Sequence, residues 1–263
     1  MKWWNRSNSQ ADIETQEASF RQWSVRIERK AFRRNITIAL KPNSPIIVRA
    51  NRKTPWSTIE KFLETKEKWI AKHLQGFIDD QEKFPAKTLK HDETFPFLGE
   101  NLPLAFVPTP LKRIFFSRNE KNLVMHIPEA LWNGVTEEEL QEHFPKLQQF
   151  YQREAEKLIL ERAKFWSEQM KLTPASIRFR NQKTRWGSCS SRKVINFNWR
   201  LIGAPLEVVD YIIVHEFAHL RHMNHSEQFW NLVEAHISDF QTSEKWLKDH
   251  GQSLDFLGPN ASA

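Results

Sequence analysis

Two histidines and a glutamate near the end of the chain form the group of side chains best suited to chemistry. The sequence at this point is His215-Glu216-Phe217-Ala218-His219. Residues four apart on a helix lie one turn apart on the same face, so both histidines can direct a ring nitrogen at one metal ion. Glu216 can then act as a general base on a water held by that ion. The spacing predicts a hydrolase that uses one zinc ion, with peptides as the expected substrates.

The segment that carries these residues is predicted to be a buried helix. Residues 206–220 are apolar around almost the whole circumference of a helix, which is typical of a helix in a protein core. Pro205 suits the first position of such a helix. Burying two histidines and a glutamate is costly unless each has a partner. A metal ion is one partner for all three, which favours a metal site over histidines that bond only the backbone.

The third ligand has to come from beyond the straight helix. His222 lies on the same helical face, but at ~1.5 Å of rise per residue it is about 10 Å along the axis from His215. Three ligands strung along one helix cannot converge on one ion. An exit from the helix at Met223–Asn224 would turn the chain back and bring His225 to the metal. The offsets of the three histidines also match one common zinc-protease spacing, except that His222 replaces a glycine.

Another helix downstream offers an alternative ligand. This helix is predicted to run from Glu227 to about Glu234, with Ser226 as its N-cap. Some zinc peptidases take a glutamate from the next helix, so Glu234 is the alternative to His225. His222 is expected to lie behind the ligands or to face the solvent.

A longer stretch of the chain resembles the YgjP-like metallopeptidase family, which is related to the WLM and SprT-like zincins. The similar segments are 185–191, 195–202, 204–205 and 215–230, with looser similarity at 25–27, 48 and 69–70. The resemblance implies a zincin fold, with zinc held by His215, His219 and His225. It also implies that Glu216 is the general base.

The predicted fold class is α+β. We expect a zincin-like metallopeptidase domain whose active-site helix packs on a small mixed sheet, preceded by a β-rich N-terminal region. The expected division is a flexible N-terminus over 1–18, a β-rich region with one helix over 20–135, a catalytic domain over 136–250 and a frayed tail over 251–263.

Two long helices are predicted before the metal motif. Apolar residues at helical spacing indicate the first over residues 57–77. The second is expected from Thr136 to Met170, because Thr136 and Glu139 have the spacing of a capping box. Pro145 is expected to split or kink this helix.

A hairpin with strands at 177–186 and 194–200 is predicted just before the metal motif. Zincins present an edge strand beside the metal, to which an extended peptide can add as a further strand. An ordinary core hairpin is the alternative. If the hairpin forms a wall of the substrate groove, the candidate substrate-binding residues are Trp186, Gly187, Ser188 and Asn196.

Two further side chains near the motif have a functional and a structural interpretation. Tyr211 precedes His215 by one turn and could donate a hydrogen bond to a transition-state oxyanion, although a packed core tyrosine is the simpler interpretation. Cys189 could be a nucleophile or a metal ligand. It has no second cysteine at metal-ligand spacing, so a structural thiol in a turn is expected.

Composition limits the compartment and the partners. The chain has 263 residues, a formal net charge of +7 and one cysteine, so no disulfide can form within it, which favours a reducing cytosol. Its first residues lack a signal-peptide core, and no run approaches the roughly 20 apolar residues of a membrane helix. We expect a cytoplasmic protein that acts on peptides or proteins without membrane contact.

Residues 171–200 are strongly basic, with eight lysines and arginines and no acid. Such a segment favours nucleic acid or acidic substrates as partners. An alternative function is therefore a protease or binding factor acting on nucleic-acid-associated proteins. Another alternative is a non-catalytic module with a structural zinc, which needs four protein ligands. In that case His222 or Cys189 would supply the fourth.

Overall fold

The chain divides into two compact units between residues 85 and 86, and each unit has its own apolar core. The computed structural model describes residues 13–83, 85, 87–182 and 185–257. The sequence predicts a boundary near residue 135 instead. The strands between residues 94 and 128 belong to the second unit because their inward side chains join its core. None of the helices in the described ranges is long and apolar enough to cross a membrane.

The first unit is a four-stranded sheet followed by one helix. Its strands are β1 (Glu14–Phe20), β2 (Trp23–Lys30), β3 (Thr37–Ala39) and β4 (Ile46–Asn51), in the order β1-β2-β4-β3. Strands β2 and β4 are parallel and the other pairs are antiparallel. Residues 14–18, which the sequence analysis assigned to a flexible N-terminus, form most of β1. Residues 1–12 lie outside the described part of the chain.

The helix of the first unit, α1 (Trp56–Lys83), is longer than the predicted segment 57–77. Its buried side chains recur at intervals of four and seven residues, so they form one stripe that packs against the sheet. They are Ile59, Leu63 and Ile70.

The second unit begins with another four-stranded sheet. Its strands are β5 (Thr94–Phe97), β6 (Glu100–Thr109), β7 (Phe115–Arg118) and β8 (Leu123–Pro128), in the order β5-β6-β8-β7. Two helices follow, α2 (Glu137–Gln141) and α3 (Phe144–Met170). The predicted capping box is confirmed, because Thr136 and Glu139 each bond the backbone N–H of the other. The predicted split is also confirmed, with Pro145 in the first turn of α3.

A small mixed sheet precedes the metal motif. Its strands are β9 (Ser176–Arg180), β10 (Gly187–Cys189) and β11 (Val194–Asn198). Central β11 pairs with β10 in antiparallel and with β9 in parallel orientation. The prediction of one strand over 177–186 is therefore wrong, because the chain crosses over after β9 and returns on the other edge of β11.

The side chain of Asn198 explains why the predicted strand breaks. Its Nδ2 atom donates to the carbonyl oxygens of Gln182 at 2.7 Å and Arg185 at 3.1 Å. These carbonyls bond a buried side chain instead of a neighbouring strand. The crossover is thus held by an amide 13 or more residues away in sequence, a contact that local strand propensity does not report.

The helix α4 (Leu206–Ala218) carries the metal motif and packs against α3 and β10. It is followed by α5 (Glu227–Glu234) and α6 (Phe240–His250). A 3₁₀ helix over Gly251–Leu254 then packs into the core through Leu254, and Phe256 and Leu257 are buried as well. Residues 251–257 of the expected frayed tail are therefore packed, and residues 258–263 lie outside the described part. The predicted α+β class, with α4 on a small mixed sheet, is confirmed.

An ion pair holds α4 against α3. Arg162 donates to both carboxylate oxygens of Asp210, at 2.7 and 2.6 Å. Both side chains are largely buried, at 25% and 13% exposure. Bidentate pairs of this kind fix orientation as well as distance, so this contact helps to position the helix that carries the metal motif.

We expect Arg162→Met to lower the free energy of unfolding by about 2 kcal/mol, because Asp210 then loses two charge-assisted hydrogen bonds. Urea denaturation of the metal-free protein measures this change. Arg153→Met is the matched control, since Arg153 is an exposed residue of the same helix; it should change stability by about 0.5 kcal/mol or less. Equal losses in the two variants would contradict the expectation.

Candidate metal centre

The side chains of His215, His219 and His225 converge at the end of α4. One ligand atom from each lies within 4.8 Å of the other two. The Nε2 atoms of His215 and His225 are 3.1 Å apart. The structure thus brings together the three histidines that the sequence analysis selected. Over the described part of the chain, neither His222 nor Glu234 contributes to this group.

The turn that returns the chain to the site comes earlier than expected. Helix α4 ends at Ala218, and His219 is its C-cap. The predicted exit at Met223–Asn224 is wrong, and Asn224 does not adopt the left-handed conformation. The turn begins at His219 because the N–H groups of Leu220 and Arg221 bond the carbonyls three residues back, those of Phe217 and Ala218, which tightens the end of the helix.

His222 contributes to the site through its backbone. The Nδ1 atom of His219 lies 3.1 Å from the carbonyl oxygen of His222. A carbonyl can only accept, so Nδ1 carries the proton and donates it. This bond orients the ring and leaves Nε2 as the free ligand atom.

Two aromatic side chains of α5 support the three imidazoles. The ring of Phe229 is fully buried, and its centroid lies 4.6–4.9 Å from those of all three histidines. Trp230 stacks on His225 at 5.7 Å. Ser226 is the N-cap of this helix as predicted, although its side chain makes no capping bond. The short helix therefore provides an apolar support that restricts how the rings can rotate.

Burial shifts the proton equilibria of the motif. Desolvation lowers the pKa of His215 to about 3, and the neighbouring His219 and His225 lower it further. Burial raises the pKa of Glu216 to about 8, against the opposing effect of Arg185. The Oε2 atom of Glu216 is buried and has no hydrogen-bond partner within the described ranges. Imidazole nitrogens beside such a carboxyl group fit a divalent cation that prefers nitrogen ligands, such as zinc.

Strand β10 lies directly against Glu216 at Gly187. A Cβ atom added to Gly187 would lie 2.4 Å from Oε1 and 2.6 Å from Cγ of Glu216. Any larger residue would displace the carboxyl group, so this close approach requires glycine. The small sheet and the metal-site helix therefore meet at the side chain that the sequence analysis selected as general base.

Comparison with protein families decides the assignment. Residues 34–250 match the model of the YgjP-like metallopeptidase domain. The chain belongs to the YgjP-like metallopeptidase family. No curated protein matches the sequence.

Two solved structures of metallopeptidase zymogens are similar to part of this YgjP-like chain. Abylysin of Pyrococcus abyssi is 19% identical, with a TM-score of 0.32, and the match covers 35% of this chain and 93% of that chain. Jannalysin of Methanocaldococcus jannaschii is 22% identical, with a TM-score of 0.32, and the match covers 36% of this chain and 95% of that chain.

The predicted substrate-binding residues of this YgjP-like domain lie at different places. Gly187 is in contact with Glu216. Ser188 and Asn196 are joined by a 3.2 Å hydrogen bond and are paired in register, so by strand alternation they face away from Glu216. The indole of Trp186 packs against Gly251 of the 3₁₀ helix.

Tyr211 and Cys189 have surroundings typical of structural residues. Tyr211 is 3% exposed, packs edge-on against His215 and stacks on Phe240, and burial raises its pKa. Burial also raises the pKa of Cys189 to about 11, with a further contribution from Glu216. A thiol with this pKa is protonated at neutral pH and is a weak nucleophile.

We expect Gly187→Ala to reduce peptide hydrolysis about 100-fold, because displacing a reacting group by about 1 Å has that effect. Initial rates on an unfolded test protein measure this loss, and elemental analysis should find unchanged metal content. Gly134→Ala is the matched control, since a Cβ there meets nothing within 4 Å. A fully active Gly187→Ala protein would contradict the steric argument.

Proposed function

We propose that this chain is an HExxH-type zinc peptidase that uses one zinc ion and Glu216 as the general base. Peptides or unfolded proteins are its proposed substrates. One observation carries the proposal, namely three converging imidazoles beside a buried carboxyl group whose Oε2 atom has no partner among the described residues. A cytoplasmic location is also proposed and is supported by the single cysteine of the sequence.

Glu216 moves the proton in the proposed reaction. The three histidines would hold a zinc ion, which when bound would supply Lewis-acid polarisation and a positive charge that favours the ionised form of this carboxyl group. Glu216 accepts the proton of the attacking water at Oε2 and then donates it to the leaving amine nitrogen. Burial raises the pKa of Glu216 to about 8, and the charge of a bound zinc ion would lower it from that value, which favours the carboxylate that accepts the proton.

The neighbouring strand supports a role in substrate binding. Strand β10 pairs with β11 on one side only, so its other edge has unpaired backbone groups in the described structure. An extended peptide can add to such an edge through main-chain hydrogen bonds. Because Gly187 lies against Glu216, a peptide bound along β10 would pass close to the proposed base.

The ligand set favours a catalytic over a structural zinc site. A structural site is closed by four protein ligands, whereas a catalytic site keeps one position open. Within the described residues three histidines form the group, and neither Cys189 nor His222 is part of it. This supports a position for water and substrate.

Glu216→Gln should retain stoichiometric zinc and lose about 10²- to 10⁴-fold in the rate of hydrolysis of an unfolded test protein, because the amide cannot accept the proton. Elemental analysis and initial-rate measurements on the same preparation test both parts. Full activity in this variant would overturn the proposed mechanism.

Unlike Glu216→Gln, the variant His225→Ala should lose zinc as well as activity, because it lacks one of the three proposed ligands. Glu234→Ala is the matched control and should keep both. Stoichiometric zinc in His225→Ala would instead support Glu234 or His222 as the third ligand.

A second candidate function rests on the basic segment 171–200. Arg178 and Arg180 of β9 and Arg192 and Lys193 of the β10–β11 turn are exposed. None of the four has an ion-pair partner in the described part of the chain. Arg200 is not part of this surface, because it is buried and paired with Asp255 at 2.8 Å, and Lys183 lies outside the described residues. Exposed positive charge of this kind supports binding to nucleic acid or to proteins associated with it.

This second candidate predicts salt-dependent binding of a DNA duplex. Replacing both Arg178 and Arg180 by Gln should weaken binding and reduce the slope of log K against log salt by about 1 for each lost phosphate contact. Fluorescence anisotropy at several salt concentrations measures this slope. Binding that is absent at low salt, or unchanged in the variant, would exclude the segment as the contact surface.

A further inference from the structure

Residues in β10 and just before it lie close to Glu216. The backbone of Gly187 touches the Glu216 carboxyl group. Cys189 and Arg185 both interact electrostatically with the same carboxyl group. Consecutive Cα atoms are about 3.8 Å apart, so Arg185 lies within about 7 Å of Gly187 along the chain. The steric contact at Gly187 and the charge interactions therefore place Arg185 near the proposed base.

The backbone of Arg185 is held firmly. Its carbonyl oxygen accepts a hydrogen bond from Nδ2 of Asn198 at 3.1 Å, and the N–H of Asn198 bonds the carbonyl of Trp186 at 2.8 Å. Asn198 is 2% exposed, and Trp186 packs against Gly251. The exposed side chain of Arg185 thus extends from a fixed backbone position, which lowers the entropic cost of binding a ligand.

The positive charge of Arg185 has no ion-pair partner in the described residues. Glu216 influences it without coming within ion-pair distance. Buried or half-buried arginines of the same unit behave differently, because Arg162 pairs with Asp210 and Arg200 pairs with Asp255. Residues 169–206 contain no acidic residue at all. No acidic side chain nearby in the sequence can therefore neutralise the guanidinium group of Arg185, whose charge acts on the proposed catalytic carboxyl group.

We propose that Arg185 is a specificity-determining residue that binds an aspartate or glutamate side chain of the substrate next to the scissile bond. The planar guanidinium group matches a carboxylate in a bidentate arrangement. The enzyme therefore prefers acidic peptides. This inference rests on the proposed peptidase function, because it assigns a substrate class to the same site.

Matched fluorogenic peptides that differ only in Glu or Gln on either side of the scissile bond test the inference. Of the two Glu peptides, the one that the wild-type enzyme cleaves faster should have a kcat/KM about 10- to 100-fold above that of its Gln counterpart. This is the range expected for a hydrogen bond to a charged group. Arg185→Gln should abolish this preference, so that the Glu and Gln peptides have equal kcat/KM values. Arg185→Glu should favour a Lys peptide over the Glu peptide.

Arg113→Gln is the matched control, because Arg113 is exposed in the turn between β6 and β7, and the variant should keep the wild-type preference.

Each peptide is also made with a free and an amidated C-terminus. A preference that requires the free terminus would assign Arg185 to the terminal carboxylate and overturn the side-chain assignment. Single-stranded DNA is added as a competitor. Competition that depends on Arg185 in the absence of any Glu preference would also overturn the inference and favour nucleic acid.

Binding separates failure of the inference from failure of the proposed function. Zinc-loaded Glu216→Gln protein is titrated with the same peptides, and anisotropy reports affinity without turnover. Tighter binding of the Glu peptide that is lost in the Glu216→Gln, Arg185→Gln double variant supports the inference, even if the wild type cleaves nothing and the peptidase proposal fails. Cleavage of Glu and Gln peptides at equal rates overturns the inference and leaves the peptidase proposal intact, and equal or absent binding overturns it likewise.

Discussion

The contact between the Glu216 carboxyl group and the backbone of Gly187 is the constraint on which the site depends. It joins the metal-site helix to the small sheet at a position where a side chain larger than hydrogen does not fit. A carboxyl group enclosed in this way is poorly solvated, and its pKa rises to about 8. The same enclosure aligns strand β10 with the group that would move the proton. The packing of α4 on β10, the raised pKa of Glu216 and the proposed position of the substrate along β10 thus all follow from this one contact.

The remaining parts of the centre hold three histidine rings in a restricted arrangement. Helix α4 ends at Ala218, and the turn that follows carries His219 and His225 to the ring of His215. The backbone carbonyl of His222 selects the tautomer of His219, and Phe229 closes the side away from solvent. Burying Glu216 and half-burying His215 and His219 is costly unless these groups have partners, and a shared cation is a partner that suits all of them.

Local patterns predicted the helical part of the molecule well. The all-round apolar segment before His215, the capping box at Thr136 and the helix break at Pro145 each depend on residues within a few positions of one another, and each was confirmed. The β-structure was predicted less well. One strand was expected where the chain forms β9, a crossover and β10, because the hydrogen bonds of Asn198 to the crossover join positions far apart in sequence. The unit boundary was likewise placed too late, since only the packed core links residues 94–128 to α3.

The sequence by itself determined that His215, Glu216 and His219 share one helix, because helical periodicity places residues four apart on the same face. It also indicated that His225 must return from beyond that helix. Only the tertiary structure decided where the turn occurs, which strand meets Glu216 and that Arg185 lies near this carboxyl group. These features depend on contacts between distant segments, and a one-residue change in strand register reverses every side chain. Secondary-structure propensity and residue spacing describe only neighbouring positions, so they do not predict such contacts, which form when the core packs.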